Sequence, residues 1–296
     1  MRYFVLDVFT DQPFSGNPLA VVLGADDLDD KNLQRIAREF NLSETVFLLT
    51  ATRADAAFRV RIFTPTEEFP FAGHPLVGAG CVLTCIGLVP PGSSARFGFQ
   101  TEAGPVPVFI DNEGVVPYAE FTAPRAPELS ESSYDPDAIA RVLGLERDAI
   151  GYQDEGPCVA SCGLPMLLVP LRSPELLAGI DDERPGLRGM LDGYAARGLY
   201  VYARGYEGEL RARMFSPTIG EDPATGSAVA ALAGRLALAS ADKDVDRVLA
   251  WRVVQGAEMG RPSTLHAFAD RFEGQRVSIR VGGHAVQVME GRINGG

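Results

Sequence analysis

From Phe58 onward the chain alternates, with Phe58, Val60 and Ile62 on one side and Arg59 and Arg61 on the other. A period of two predicts a half-buried strand, and Thr64-Pro65-Thr66 supplies the turn that ends it. The same pattern is written again as Leu210-Arg211-Ala212-Arg213-Met214-Phe215 followed by Ser216-Pro217-Thr218. A second echo pairs Gly16-Asn17-Pro18-Leu19-Ala20-Val21-Val22 with Gly163-Leu164-Pro165-Met166-Leu167-Leu168-Val169. The offsets, 152 and 147 residues, are far longer than a solenoid repeat. A duplicated domain is expected.

After each alternating strand comes a run that is apolar nearly all round and rich in small residues. These runs are Gly73-His74-Pro75-Leu76-Val77-Gly78-Ala79-Gly80 with its continuation, and Gly226-Ser227-Ala228-Val229-Ala230-Ala231-Leu232 with its continuation. A helix with no polar face must be wrapped on all sides, in protein or in lipid. Residues 69–95 carry no formal charge, but Pro70, Pro75, Pro90 and Pro91 interrupt the stretch, so a buried helix is the reading and not a membrane span. Strands near residues 4–8, 46–49, 106–110 and 277–281 are the expected wrapping. Elsewhere Leu33, Ile36, Ala37 and Phe40 fall at helical spacing with Asn41 as the stop, and the Pro-rich segment 122–127 is the candidate linker. The fold expected is α+β, two pseudo-symmetric α/β-roll domains at 1–122 and 123–296, with a C-terminal strand that can cross back to the first.

Charge narrows the partners. The 296 residues hold 39 acidic and 27 basic side chains, a net charge of -12, which repels nucleic acid and anionic membranes alike. A small anionic substrate would then need a local positive feature. The starts of the two buried helices can supply one, because exposed N–H groups and the helix dipole hold anions without lysine or arginine. The two lysines, Lys31 and Lys243, sit among polar neighbours and offer no desolvated amine for Schiff-base chemistry. Four cysteines are too few for a disulfide framework, and the N-terminal run lacks a cleavable signal pattern; a cytoplasmic location is expected. Gly78-Ala79-Gly80 sits inside a helix and lacks the next glycine of a dinucleotide fingerprint, Leu83 standing in its place. The Cys81/Cys85 and Cys158/Cys162 pairs have a spacing that zinc can accept, but the first pair lies on the buried apolar helix, where cysteine is a small hydrophobe, and no metal site is expected.

Reactive side chains gather near the helix starts: His74 at one, and Glu221, Asp222, Thr225 and Ser227 at the other. Glu44 stands where a helix hands over to an apolar strand, and desolvation there would suit it to general acid/base work. Each has a plainer reading: a surface glutamate or local cap for Glu44, a core histidine bonded to a carbonyl for His74, and a turn residue before Pro223 for Asp222. Arg59, Arg61, Arg211 and Arg213 read as a solvated strand face.

Five segments in register, Asp7-Val8-Phe9-Thr10 with Pro13-Phe14-Ser15-Gly16-Asn17-Pro18, Asn41-Leu42-Ser43-Glu44-Thr45, Phe71-Ala72-Gly73-His74-Pro75, Glu221-Asp222-Pro223-Ala224-Thr225-Gly226-Ser227-Ala228 and Gln255-Gly256-Ala257-Glu258-Met259-Gly260-Arg261-Pro262-Ser263, resemble the PhzF-type phenazine-biosynthesis isomerase family. The resemblance implies a diaminopimelate-epimerase-like fold, a homodimer and no cofactor. It also implies a proton shift on a substrate such as trans-2,3-dihydro-3-hydroxyanthranilate. By this resemblance Glu44 shuttles the proton, His74 and Asp222 complete the catalytic set, and Ser43, Gly73, Gly226 and Ser227 contact substrate. The opposed cysteines of the related epimerases are replaced by Ala72 and Thr225, so two-thiol racemisation is excluded. Leu76 stands where many relatives carry threonine. The rival readings are a non-catalytic small-anion-binding protein on the same fold and, more weakly, a hydrolase using Ser227 and His74.

Overall fold

The computed structural model describes residues 1–130, 134–180, 186–240, 247–272 and 276–294, and Lys243 lies outside them. The chain forms two compact units, Met1–Pro124 with Val281–Gly296, and Arg125–Arg280. The division after Pro124 falls within the Pro-rich segment.

The first unit carries β1 (Arg2–Val8), β2 (Asn17–Leu23), β3 (Glu44–Thr50), β4 (Phe58–Phe63), β5 (Glu68–Phe69), β6 (Ser94–Thr101), β7 (Gly104–Asp111) and β8 (Tyr118–Thr122), with helices α1 (Asp30–Phe40) and α2 (Gly73–Cys85). Strand β1 lies antiparallel to β2, β2 parallel to β3, β3 antiparallel to β4, and β4 parallel to β6. Antiparallel pairs β6–β7 and β7–β8 follow. The last strand of the chain, Ser278–Arg292, pairs with both β1 and β8 and closes the ring. Closure leaves no sheet edge around the roll, which removes the templates that open sheets expose.

Helix α2 threads this ring, packing against β1, β2, β3, β7 and β8. Every residue from Gly73 to Leu83 is buried. Small residues make the fit: a Cβ on Gly78 would meet Leu19 Cδ2 at 2.4 Å, and one on Gly80 would meet Ala119 Cβ at 3.1 Å. Helix α1 is the opposite case, amphipathic and superficial, with Leu33 and Ala37 packed on Phe47 and Phe63. Asp29 caps its start, and Asn41 ends it in the left-handed conformation at φ 52°, a backbone that asparagine tolerates.

The second unit carries β9 (Glu128–Leu129), β10 (Cys158–Ser161), β11 (Pro165–Pro170), β12 (Gly198–Arg204), β13 (Leu210–Ser216), β14 (Gly220–Asp222), β15 (Arg247–Gln255) and β16 (Ser263–Arg271), with α3 (Pro136–Leu143), α4 (Leu187–Gly193) and α5 (Gly226–Ala239); β17 is the closing strand Ser278–Arg292. The pairing order repeats: β11 parallel to β12, β12 antiparallel to β13, β13 parallel to β15, β15 antiparallel to β16. Helix α5 is buried from Gly226 to Ala237 and packs on β9, β10, β11, β15 and β16. The duplicated segments occupy matching places, β2 with β11 and β4 with β13.

Arg213 departs from the solvated face that strand alternation predicts. Its guanidinium is buried in a bidentate pair with Glu221 at 2.7 Å, and it also donates to the carbonyls of Leu177 and Ile180. The turn Pro174–Gly179 covers the face that alternation alone leaves to water. Arg61, at the matching place, pairs with Glu68 and with exposed Asp30 and is itself largely covered. No helix among the described residues is long and apolar enough to cross a membrane.

Candidate active site

In the first unit the handover from α1 to β3 sets Glu44 at the first position of the strand, where its side chain turns inward and is buried. Strand β2 begins beside it, Leu19 pairing with Glu44, so Asn17 and Glu44 stand at neighbouring strand starts. Helix α2 brings in His74 at its second residue. The Nε2 atom of His74 lies 3.4 Å from Glu44 Oε2, long for a hydrogen bond but within reach of a small adjustment. On the other side of the ring, Asn17 Nδ2 lies 3.3 Å from His74 Nδ1. Ser43 Oγ donates to Asn17 Oδ1 at 3.1 Å. Glu44, His74, Asn17 and Ser43 thus form one set, and the backbone-bonded core histidine of the plainer reading is absent.

Burial pushes the His74 imidazole down to about 3, because the charged ring would have to leave water for an apolar interior. His74 is therefore a neutral ring with one proton at ordinary pH. The turn that delivers Asn17 is tightly built: Gly16 has φ 65°, and a Cβ there would stand 2.3 Å from Val8 O.

In the second unit Asp222 is a buried residue of strand β14, not a residue of an exposed turn. Thr225, the N-cap of α5, makes no side-chain cap with its own helix. Its hydroxyl donates instead to Asp222 Oδ2. Threonine ordinarily caps helix starts well, so this hydroxyl has been redirected to a carboxylate. Gln255 fixes the arrangement. Its Nε2 donates to Asp222 O at 2.7 Å and to Thr225 Oγ1 at 3.0 Å, while its Oε1 accepts from Tyr200 Oη at 3.0 Å and from Thr225 N at 3.3 Å. Burial, and then the charge of Asp222, push the Tyr200 hydroxyl well above its ordinary range, which keeps it a donor.

Helix α2 starts after Ala72, which has no capping side chain, and α5 starts after a threonine that does not cap. Gly73 and Gly226 are the first residues of these two helices and Ser227 the second of α5, all buried. Glu221 is bound up with Arg213 and belongs to the structural pair already described. Asn17, Gln255 and Tyr200 carry the local geometry without having been singled out by spacing. For Asn17 and Gln255 the available signal was a polar side chain at the first or last position of a strand; Tyr200 lies inside its strand and carried no such signal.

Burial raises the thiols of Cys81, Cys85, Cys158 and Cys162 above their ordinary range, Cys162 to about 12. A polar pocket of about 410 Å³ on the outer side of β4, lined by residues including Thr52, Arg59, Glu68 and Glu102, holds none of these candidate residues.

A strand roll around a buried helix, written twice, defines the α+β architecture shared by PhzF proteins and by the proline-epimerase class. The family model of phenazine biosynthesis-like proteins, PhzC-PhzF, matches residues 6–291, and the chain belongs to that family. It is 38% identical over 300 residues to an uncharacterized isomerase of Mesorhizobium japonicum, covering 99% of this chain and 98% of that protein. It is 36% identical to the trans-2,3-dihydro-3-hydroxyanthranilate isomerase of Pseudomonas aeruginosa, covering 98% of each. The crystal structure of a Bacillus anthracis phenazine biosynthesis protein of the PhzF family superposes with a TM-score of 0.87 at 26% identity, covering 99% of each chain. The chain is an isomerase of PhzF type acting on a small substrate.

Proposed function

We propose that the reaction is a proton shift on a small carboxylate-bearing substrate, of the kind named for the Pseudomonas relative, trans-2,3-dihydro-3-hydroxyanthranilate, and that it needs no cofactor. Glu44 is the general acid/base. Its carboxylate takes a proton from one ring carbon as that C–H bond breaks, and the electron pair moves through the conjugated system. The same carboxyl then returns the proton to a second carbon as a new C–H bond forms, so there is no net oxidation or reduction.

The observation that carries this reading is the buried Glu44–His74 pair at 3.4 Å. A carboxylate held at the start of a strand and facing a neutral imidazole is available to a carbon acid without competition from water. Carbanion-like charge must be stabilised as the C–H bond breaks; in this reading the N–H group at the helix start of Gly73, with the Ser43 hydroxyl, receives the substrate's carboxylate, and Gly226 and Ser227 at the start of α5 are further substrate-binding residues. His74 orients Glu44, and Asp222, fixed by Thr225 and Gln255, completes proton handling. We place the active form as a homodimer in the cytoplasm; sedimentation of the purified chain tests the first point. The test of the chemistry is solvent-deuterium exchange into that substrate, and into related cyclic carboxylates, by the wild type and by Glu44→Gln.

A further inference from the structure

His74 is neutral in the fold, so its single proton must sit on one ring nitrogen or the other, and the choice matters. If the proton sits on Nδ1, the bare Nε2 faces Glu44 and would accept the proton that Glu44 has just taken from substrate. If it sits on Nε2, the ring can only donate to Glu44 Oε2, and the carboxyl keeps its own proton on the other oxygen. Two contacts decide between these. At one side the ring faces a carboxylate oxygen at 3.4 Å, which is an acceptor. At the other it faces the amide of Asn17, whose Oδ1 already accepts from Ser43 Oγ at 3.1 Å, leaving Nδ2 turned toward Nδ1 at 3.3 Å. Asn17 is fully buried and His74 nearly so, so exchange of partners with bulk water does not compete.

We propose that Asn17 is a positioning residue that holds His74 as the Nε2–H tautomer, so that the proton collected by Glu44 is kept for return to the substrate and is not drained onto the imidazole. The chain of donors runs one way: Ser43 hydroxyl to Asn17 carbonyl, Asn17 amide to His74 Nδ1, His74 Nε2–H to Glu44. The second half of this inference rests on Glu44 acting as acid/base; the tautomer itself does not.

The chain has three histidines, His74, His266 and His284, so nitrogen-15 labelling of histidine in the full-length protein gives a spectrum simple enough to assign by comparison with His74→Gln. The expected wild-type result is a protonated Nε2 and a bare Nδ1 for His74. A protonated Nδ1 overturns the proposal. Asn17→Asp removes the donor with little change in size, and an aspartate can only accept, so the ring proton is expected to appear on Nδ1. In that variant kcat should fall by up to about 10⁴-fold, the loss seen when a catalytic imidazole is forced into the wrong tautomer, with KM little changed. A variant that keeps the Nε2–H tautomer, or moves the proton with kcat intact, also overturns it. The spectrum needs no substrate, so the tautomer is decided even if exchange by Glu44→Gln refutes the role of Glu44, and it is decided by the wild type alone if Asn17→Asp does not fold.

Discussion

His74 Nε2 stands 3.4 Å from Glu44 Oε2, and the two side chains keep only 3% and 7% of their surface exposed. At so small an exposure the imidazole stays neutral, and the two groups face each other across 3.4 Å as a carboxyl and a neutral ring and not as an ion pair.

That burial makes an acid-stability prediction. In the unfolded chain His74 takes a proton near 6.5, but in the folded chain only near 3. The stability contributed by the neutral ring is therefore complete above pH 6.5 and is lost as pH falls toward 3, at about 1.4 kcal/mol per pH unit. His74→Gln removes this dependence. Chemical denaturation at a series of pH values should show the wild type losing ground to the variant as pH falls from 7 to 4; a constant difference would contradict the neutral assignment.

The cysteines should be dispensable for turnover. With Ala72 and Thr225 at the helix starts and all four thiols raised by burial, little thiolate exists at neutral pH. Iodoacetamide applied to the native protein should leave activity within a factor of about two of the untreated sample. A rapid loss would point to a thiol in the reaction.

Arg213 and Arg61 occupy matching strands but differ in exposure. Arg213→Ala leaves Glu221 buried without its counter-ion and should cost about 3–5 kcal/mol. Arg61→Ala leaves a partly exposed Glu68 and an exposed Asp30, and should cost about 1 kcal/mol. Urea midpoints of the two variants compare them directly, and equal losses would contradict the distinction.

Thr225→Val takes away the hydroxyl that meets Asp222 while keeping the shape. Losing one hydrogen bond to a charged group costs about 1.5–3 kcal/mol. If Asp222 handles a proton in the reaction, the loss should appear mainly in kcat, by roughly 10- to 100-fold. A change confined to thermal stability would limit Asp222 to a structural part.

Much of the fold is legible from pattern. Leu33, Ile36, Ala37 and Phe40 mark a superficial helix because only one of its faces is apolar, and Asn41 stops it in a backbone conformation that asparagine accepts. Helices α2 and α5 are legible for the opposite reason, having no polar face to give to water. The duplicated Phe58 and Leu210 strands occupy matching places in the two units because the same alternation precedes the same kind of helix. Arg213 was not legible, since alternation records which way a side chain points and not what lies over it. The turn at Pro174–Gly179 comes from a distant part of the sequence. The same limit applies to the site. Glu44 and His74 could be singled out by type and neighbours, but the parts of Asn17 and Gln255 depend on partners 57 and 33 residues away. No local spacing encodes them.

The role of Glu44 in the proton shift is tested most directly in deuterium oxide with trans-2,3-dihydro-3-hydroxyanthranilate, following both turnover and deuterium entering carbon. Wild-type protein should turn the substrate over, with solvent deuterium reaching the ring carbon that receives the proton only to the extent that the proton held by Glu44 exchanges before it is returned. Glu44→Gln, with an unchanged circular dichroism spectrum, should lose both by about 10²- to 10⁴-fold, the usual contribution of a positioned acid/base. Full turnover by the folded Glu44→Gln variant would contradict the account.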